Sequence, residues 1–253
     1  MNVIENGSIA NYVIEGIGHV LFIPVIIYFA LLGEPVLWIP VLGELIASGM
    51  YHLCLMGVLF NPLLLNTLRR ADYVAISSME IAWALRLFNV TWRPRRKGEE
   101  LLEYYRDMYY NACFAIGVIL CFQVVNNSTT WIIYNSWAGT FVTLGTILLL
   151  IYIIYVYNHQ RYSVRGYWMF AIDVLIMAFA VALLFYAGNP GGAHYDIPHG
   201  IWHIIAIVGI FFLGCYIRIR DYPTYGEALI PPMFLEFMTT EDERKEKEAK
   251  KKT

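Results

Sequence analysis

The chain is 253 residues long, 58% hydrophobic and only 15% charged, with a mean hydropathy of +0.53. Soluble domains run nearer to about 45–50% apolar and about 25% charged, so this composition speaks against a soluble domain and for a polytopic membrane protein. The net charge of −2 comes with basic residues gathered in loop and tail clusters beside apolar runs, which argues against a nucleic-acid partner.

The N-terminal stretch MNVIENGSIANYVIEG has no basic segment before its first apolar run, so no cleavable signal peptide is expected. A spanning helix needs about 20 mostly apolar residues. Seven runs meet this in chain order: 15–33, 36–60, 71–91, 108–125, 132–157, 166–187 and 197–217. Every connection is short, so no soluble domain fits between them. The expected fold is an all-α membrane protein, a seven-transmembrane helix bundle over 1–220, followed by a cytosolic charged tail over 221–253. The fifth run is long enough to tilt, or to begin with an interfacial stretch led by Trp131 and Trp137. In the tail, MFLEFM reads as an inner-leaflet segment and ERKEKEAKKK as a solvated run with lysines near anionic lipid.

Loop charge sets the expected orientation. Arg93, Arg95, Arg96, Lys97 and Arg106 follow span three, Arg161 and Arg165 follow span five, and the C-terminus is lysine-rich. The positive-inside rule then puts the N-terminus outside and the C-terminus in the cytosol. Arg69 and Arg70, before span three, run against this assignment. Acceptor motifs for N-glycosylation at Asn6, Asn126 and Asn127 fall on the outer side, and the one at Asn89 falls at the inner face. Cys54, Cys113, Cys121 and Cys215 lack C-x-x-C spacing and lie in apolar stretches, so they read as small packing residues.

Ionisable side chains inside a span are rare and usually functional. Here they are Glu44 and His52 in span two, Asp72, Glu80 and Arg86 in span three, Asp173 in span six, and His199 and His203 in span seven; His19 lies near the outer start of span one. Glu44, Glu80 and Asp173 are candidates to line an inner cavity, to pair with Arg86 or, the preferred reading, to hydrogen-bond neighbouring helices. Residues four apart share a helix face, so His199 and His203 point one way, as do Ser48 and His52. Because successive spans alternate in direction, Ser48, His52, Asp72, His199 and His203 come to a similar depth. That set has the chemistry of a zinc site: three imidazoles can bind Zn2+ and leave a position for water. Asp72 could hold the water, act as a base or orient a histidine, and Ser48 could hydrogen-bond the water or an oxyanion. A hydrogen-bonded polar cluster joining helices is the alternative.

S-x3-H in span two, an Asp opening span three and H-x3-H in span seven resemble the pattern of the CREST membrane proteins, which include alkaline ceramidases and adiponectin-type receptors. The resemblance implies seven helices and a zinc ion held by three histidines, often serving amide hydrolysis on lipids. Carried over by position, His52, His199 and His203 would be the zinc ligands, with Ser48 and Asp72 as neighbours of the water. Within that superfamily MYHLC (50–54), LRRADYVAISSMEIAWAL (68–85) and HGIWH (199–203) are similar to the myomaker family of myoblast-fusion proteins. This implies a multi-pass plasma-membrane location, contact with membrane lipids, self-association as a homo-oligomer such as a dimer, and a small accessory fusogen. The chain departs from vertebrate members, which end in a lipidated cysteine cluster, by ending in KEAKKKT. Three functions follow as expectations: cell–cell fusion with a structural or vestigial zinc, zinc-dependent lipid amide hydrolysis, or ligand reception.

Overall fold

A computed structural model describes residues 9–57, 62–87, 99–130, 166–187, 196–222 and 224–235. Regular structure among them is helical throughout: α1 (Ile9–Val20), α2 (Phe22–Leu31), α3 (Pro35–Leu55), α4 (Pro62–Leu87), α5 (Leu101–Thr130), α6 (Tyr167–Ala187), α7 (Asp196–Asp221) and the short α8 (Tyr225–Leu229). The all-α class is therefore as expected. The fifth apolar run, the Asn6 and Asn89 acceptors, Arg161 and Arg165, and the tail beyond 235 lie outside the described residues.

Local chemistry sets the helix ends, and they differ from the hydropathy boundaries. The first apolar run is two helices broken at Leu21, because Pro24 has no N–H to return to the carbonyl of Val20 and its ring crowds that turn. At the end of α2, Gly33 takes a φ of +70°, which glycine adopts without a Cβ penalty. Its N–H donates to Ala30 O at 3.0 Å, and the Glu34 N–H donates to Phe29 O at 3.0 Å. Pro35 then opens α3 at a position where a missing N–H costs nothing. α4 begins nine residues before the third apolar run, so Asp72 sits within the helix rather than opening it. α5 extends past the fourth run at both ends and contains Asn126 and Asn127, which are helical rather than in a loop. Thr224 caps α8, its Oγ1 accepting from the Glu227 N–H at 3.1 Å.

Two helices among the described residues are long and apolar enough to cross a membrane: α3, with 21 residues, and 25 residues of α7 from Ile197 to Asp221. Gly16–Leu31, across α1 and α2, and Tyr167–Leu183 of α6 are shorter apolar stretches. α4 carries Arg69, Arg70, Asp72, Glu80 and Arg86 along its length, and in α5 Glu103, Arg106 and Asp107 precede the apolar stretch.

α6 packs on α7, α3 on α4, α1 on α7 and α2 on α3. Phe22, Phe29, Leu37, Trp83, Phe170 and Tyr216 centre the core. Gly214 of α7 lies directly beneath the Phe29 ring, and an added Cβ would overlap it. Phe29 is fully buried and has no room to swing away. Gly214→Ala is expected to lower stability by about 1–3 kcal/mol through overpacking, read as a lower melting temperature in detergent; an unchanged melt would show that α2 and α7 do not cross there.

Polarity is distributed inside out. Glu34, Glu44, His52, Asp72, Arg86 and Arg218 are buried, while Ile23, Ile27, Ile46, Leu175 and Phe179 are exposed. The most buried charges form one network where α2, α3, α4 and α7 end together. Arg86 donates to both carboxylate oxygens of Glu34 at 3.2 Å, through Nε and Nη2, and to Asp221 through Nη1 at 2.5 Å. Arg218 Nη1 donates to Glu34 Oε1 at 2.8 Å, and Arg220 Nε to Asp221 Oδ1 at 2.7 Å. Arg86 thus pairs with Glu34 and Asp221, not with Glu44, Glu80 or Asp173. Arg218 also holds the chain after α7, donating to Ala228 O at 2.5 Å and Glu227 O at 3.0 Å, and Tyr28 Oη donates to Leu229 O at 2.9 Å. Cys54 and Cys215 are buried as expected, whereas Cys113 is exposed on α5.

Candidate metal centre

The histidines converge because α1, α3 and α7 cross closely. A Cβ on Gly18 would stand 3.0 Å from His203 Cβ and 3.4 Å from Gly200 O, tighter than ordinary packing, so glycine there eases the close approach of α1 to α7. The next residue, His19, is thereby laid beside His203. α3 contributes Ser48 and His52 one turn apart on its buried face, and α7 contributes His199 and His203 in the same way. His52 and His203 are each 2% exposed, and His199 is buried.

The imidazoles form a compact cluster. His203 has ring centroids 4.8 Å from His19, 5.0 Å from His52 and 4.9 Å from His199. His52 lies 5.1 Å from His19 and 5.2 Å from His199. The His52 and His203 Nε2 atoms face each other at 3.2 Å. Two nitrogens bound tetrahedrally to Zn2+ at about 2.0–2.1 Å stand roughly 3.3 Å apart, so this spacing already matches an edge of such a site. His19, His52 and His203 each offer a ligand nitrogen within 4.8 Å of one another, and this buried group can hold a metal ion.

An oxygen chain backs the cluster on one side. His19 Nε2 is 3.2 Å from Ser48 Oγ. The Ser48 hydroxyl and the Glu44 carboxyl lie beside the Asp72 carboxyl. One oxygen of each carboxyl, Asp72 Oδ1 and Glu44 Oε2, is buried without a hydrogen-bond partner among the described residues. On the opposite side His199 stacks on the Trp202 indole, with centroids 5.3 Å apart.

All five residues singled out by spacing, Ser48, His52, Asp72, His199 and His203, therefore meet at one place. The group that satisfies metal-ligand spacing, however, contains His19 in place of His199. Two signals for His19 were present in the sequence: its depth in span one, level with the others, and the glycines of EGIGH (15–19) that let a second helix approach. No family model, curated protein or solved structure matches the chain.

Proposed function

We propose that the chain is a CREST-type, multi-pass plasma-membrane protein that mediates cell–cell fusion of the myoblast kind. Seven helices would cross the bilayer, with the N-terminus outside, the C-terminus cytosolic and a zinc ion at the imidazole cluster near the outer face. The observation that carries this reading is the convergence of Ser48, His52, Asp72, His199 and His203 from three distant helices, the constellation that the resemblance implies. The inside-out polarity supports a lipid surround, because a bilayer rewards exposed apolar side chains and confines charge to paired interior positions. Membrane lipids, a second copy of the chain and a small accessory fusogen are the partners that go with this reading.

The donor set of neutral imidazoles and a carboxylate suits zinc better than a hard cation, which prefers all-oxygen ligands. When bound, zinc would cross-link α1, α3 and α7 and supply Lewis acidity. His52 and His203 would hold it, with His19 or His199 completing the set.

A second reading, lipid amide hydrolysis, is favoured by the Ser48 hydroxyl and the Asp72 carboxyl lying side by side at the cluster. In that reading Asp72 carries the proton from water to the leaving amine, and Ser48 Oγ donates to the amide oxygen as charge develops there.

The test is a two-population assay in a non-fusing cell line, with differently coloured cells expressing the chain on one side or both. Mixed-colour syncytia are expected. Unfused cells that release sphingosine would replace fusion with the hydrolase reading.

A further inference from the structure

We propose that Glu44 is a positioning residue that shares one proton with Asp72, so that the pair holds a single negative charge beside Ser48. The inference deepens the proposed function and rests on that reading for the lipid around α3 and α4; it needs no metal.

Placement carries it. Glu44, Ser48 and His52 recur every four residues on the buried face of α3, and Asp72 comes from α4, which packs on α3. Glu44 is 2% exposed and Asp72 5%. The two carboxyls and the Ser48 hydroxyl lie side by side. One oxygen of each carboxyl, Glu44 Oε2 and Asp72 Oδ1, is buried without a hydrogen-bond partner among the described residues. The buried arginines of the bundle cannot neutralise the pair, since Arg86 and Arg218 bind Glu34 at the other end of α3.

Two carboxylates side by side away from water repel strongly, and such a pair holds one proton between them. The surroundings decide which member carries it. Asp72 has the Ser48 hydroxyl beside it and Arg69 within electrostatic reach. Glu44 has Glu80 as its other ionisable neighbour, so a charge on Glu44 would face two further acids. The proton therefore rests on Glu44, whose O–H donates to Asp72, and the charge rests on Asp72. His19, with Nε2 3.2 Å from Ser48 Oγ, completes the polar groups around the pair. A charged Asp72 turns the Ser48 hydroxyl toward itself and so fixes the oxygen that stands opposite His19. In the hydrolase reading the same charge leaves Asp72 able to accept a proton, while Glu44 keeps its own.

The experiment records infrared spectra of the full chain in detergent at neutral pH. A protonated carboxylic acid gives a carbonyl stretch set apart from those of carboxylates and backbone amides, and D2O moves it. Wild type is expected to show this band, and Glu44→Gln to lose one component of it. The Gln variant should melt close to wild type, because its amide N–H takes over the donation to Asp72. Glu44→Leu, which cannot donate, should melt lower, since it leaves Asp72 with one partner fewer. Asp72→Asn should keep the Glu44 component and move it to higher wavenumber, as the O–H loses its charged acceptor. A band unchanged by Glu44→Gln, a component unmoved by Asp72→Asn, or equal melting of the Gln and Leu variants overturns the inference. Were the Gln variant not to fold, the Asp72→Asn shift would decide. None of these readouts involves fusion, so a chain that fuses no cells still passes or fails the test.

Discussion

Glu34→Ala is expected to remove most of the folded protein. Glu34 is fully buried at the joint between α2 and α3 and accepts from two guanidinium groups, those of Arg86 and Arg218. The network holds three cations, Arg86, Arg218 and Arg220, against two carboxylates, Glu34 and Asp221. Without Glu34, Asp221 still faces Arg86 and Arg220, while Arg218 keeps only backbone carbonyls and the Tyr222 hydroxyl among the described residues, and Arg86 and Arg218 lose their common partner away from water. Breaking a buried pair by removing one partner costs about 3–5 kcal/mol, a large part of the roughly 5–15 kcal/mol that holds a typical domain folded. The loss should spread beyond the site, because the same arginine orders the chain after α7 through Glu227 and Ala228. Size-exclusion profiles and melting curves in detergent would read it. Glu34→Gln keeps the shape and an acceptor and should fall between the two. Glu100→Ala, at an exposed position, should stay within about 0.5 kcal/mol of wild type. Added salt should change little, since buried pairs are poorly screened. A Glu34→Ala chain that melts with wild type would mean the network contributes nothing to the fold.

The second large effect is expected at His203. Its ring is within 5.0 Å, centroid to centroid, of all three other histidines in the cluster, so it is the hub of the arrangement. His203→Ala should reduce bound metal after purification from about one equivalent to background. Loss of supporting groups around a metal already costs about 10–100-fold in affinity, and loss of a ligand should cost more. Binding free energy in such a site is also folding free energy, so a chelator should lower the melting temperature of wild type. The same chelator should leave His203→Ala unmoved, which separates loss of metal from the cavity that the truncation itself creates. His199→Ala, outside the group with ligand spacing, should lose less metal than His203→Ala. Full metal content in the His203→Ala protein would dismiss the proposed coordination.

The expectation of one continuous helix per apolar run failed where chemistry acted below the resolution of a hydropathy average. Pro24 breaks the first run into α1 and α2, and α4 continues upstream through PLLLN to make Asp72 internal. Pairing Arg86 with Glu44, Glu80 or Asp173 is one alternative among three in the sequence, and its partners instead come from a loop, Glu34, and a helix end, Asp221. Nothing in their local sequence marks those two as neighbours, because they meet only when α2, α4 and α7 end at a common level.

The sequence by itself determined the helical class and the pairing of Ser48 with His52 and of His199 with His203, since a 3.6-residue period places residues four apart on one face whatever the helix packs against. Tertiary structure decided which faces meet. Contact between segments as distant as residues 19, 52 and 203 depends on where helices cross, and that follows from close packing at Gly18 and steric fit across the core.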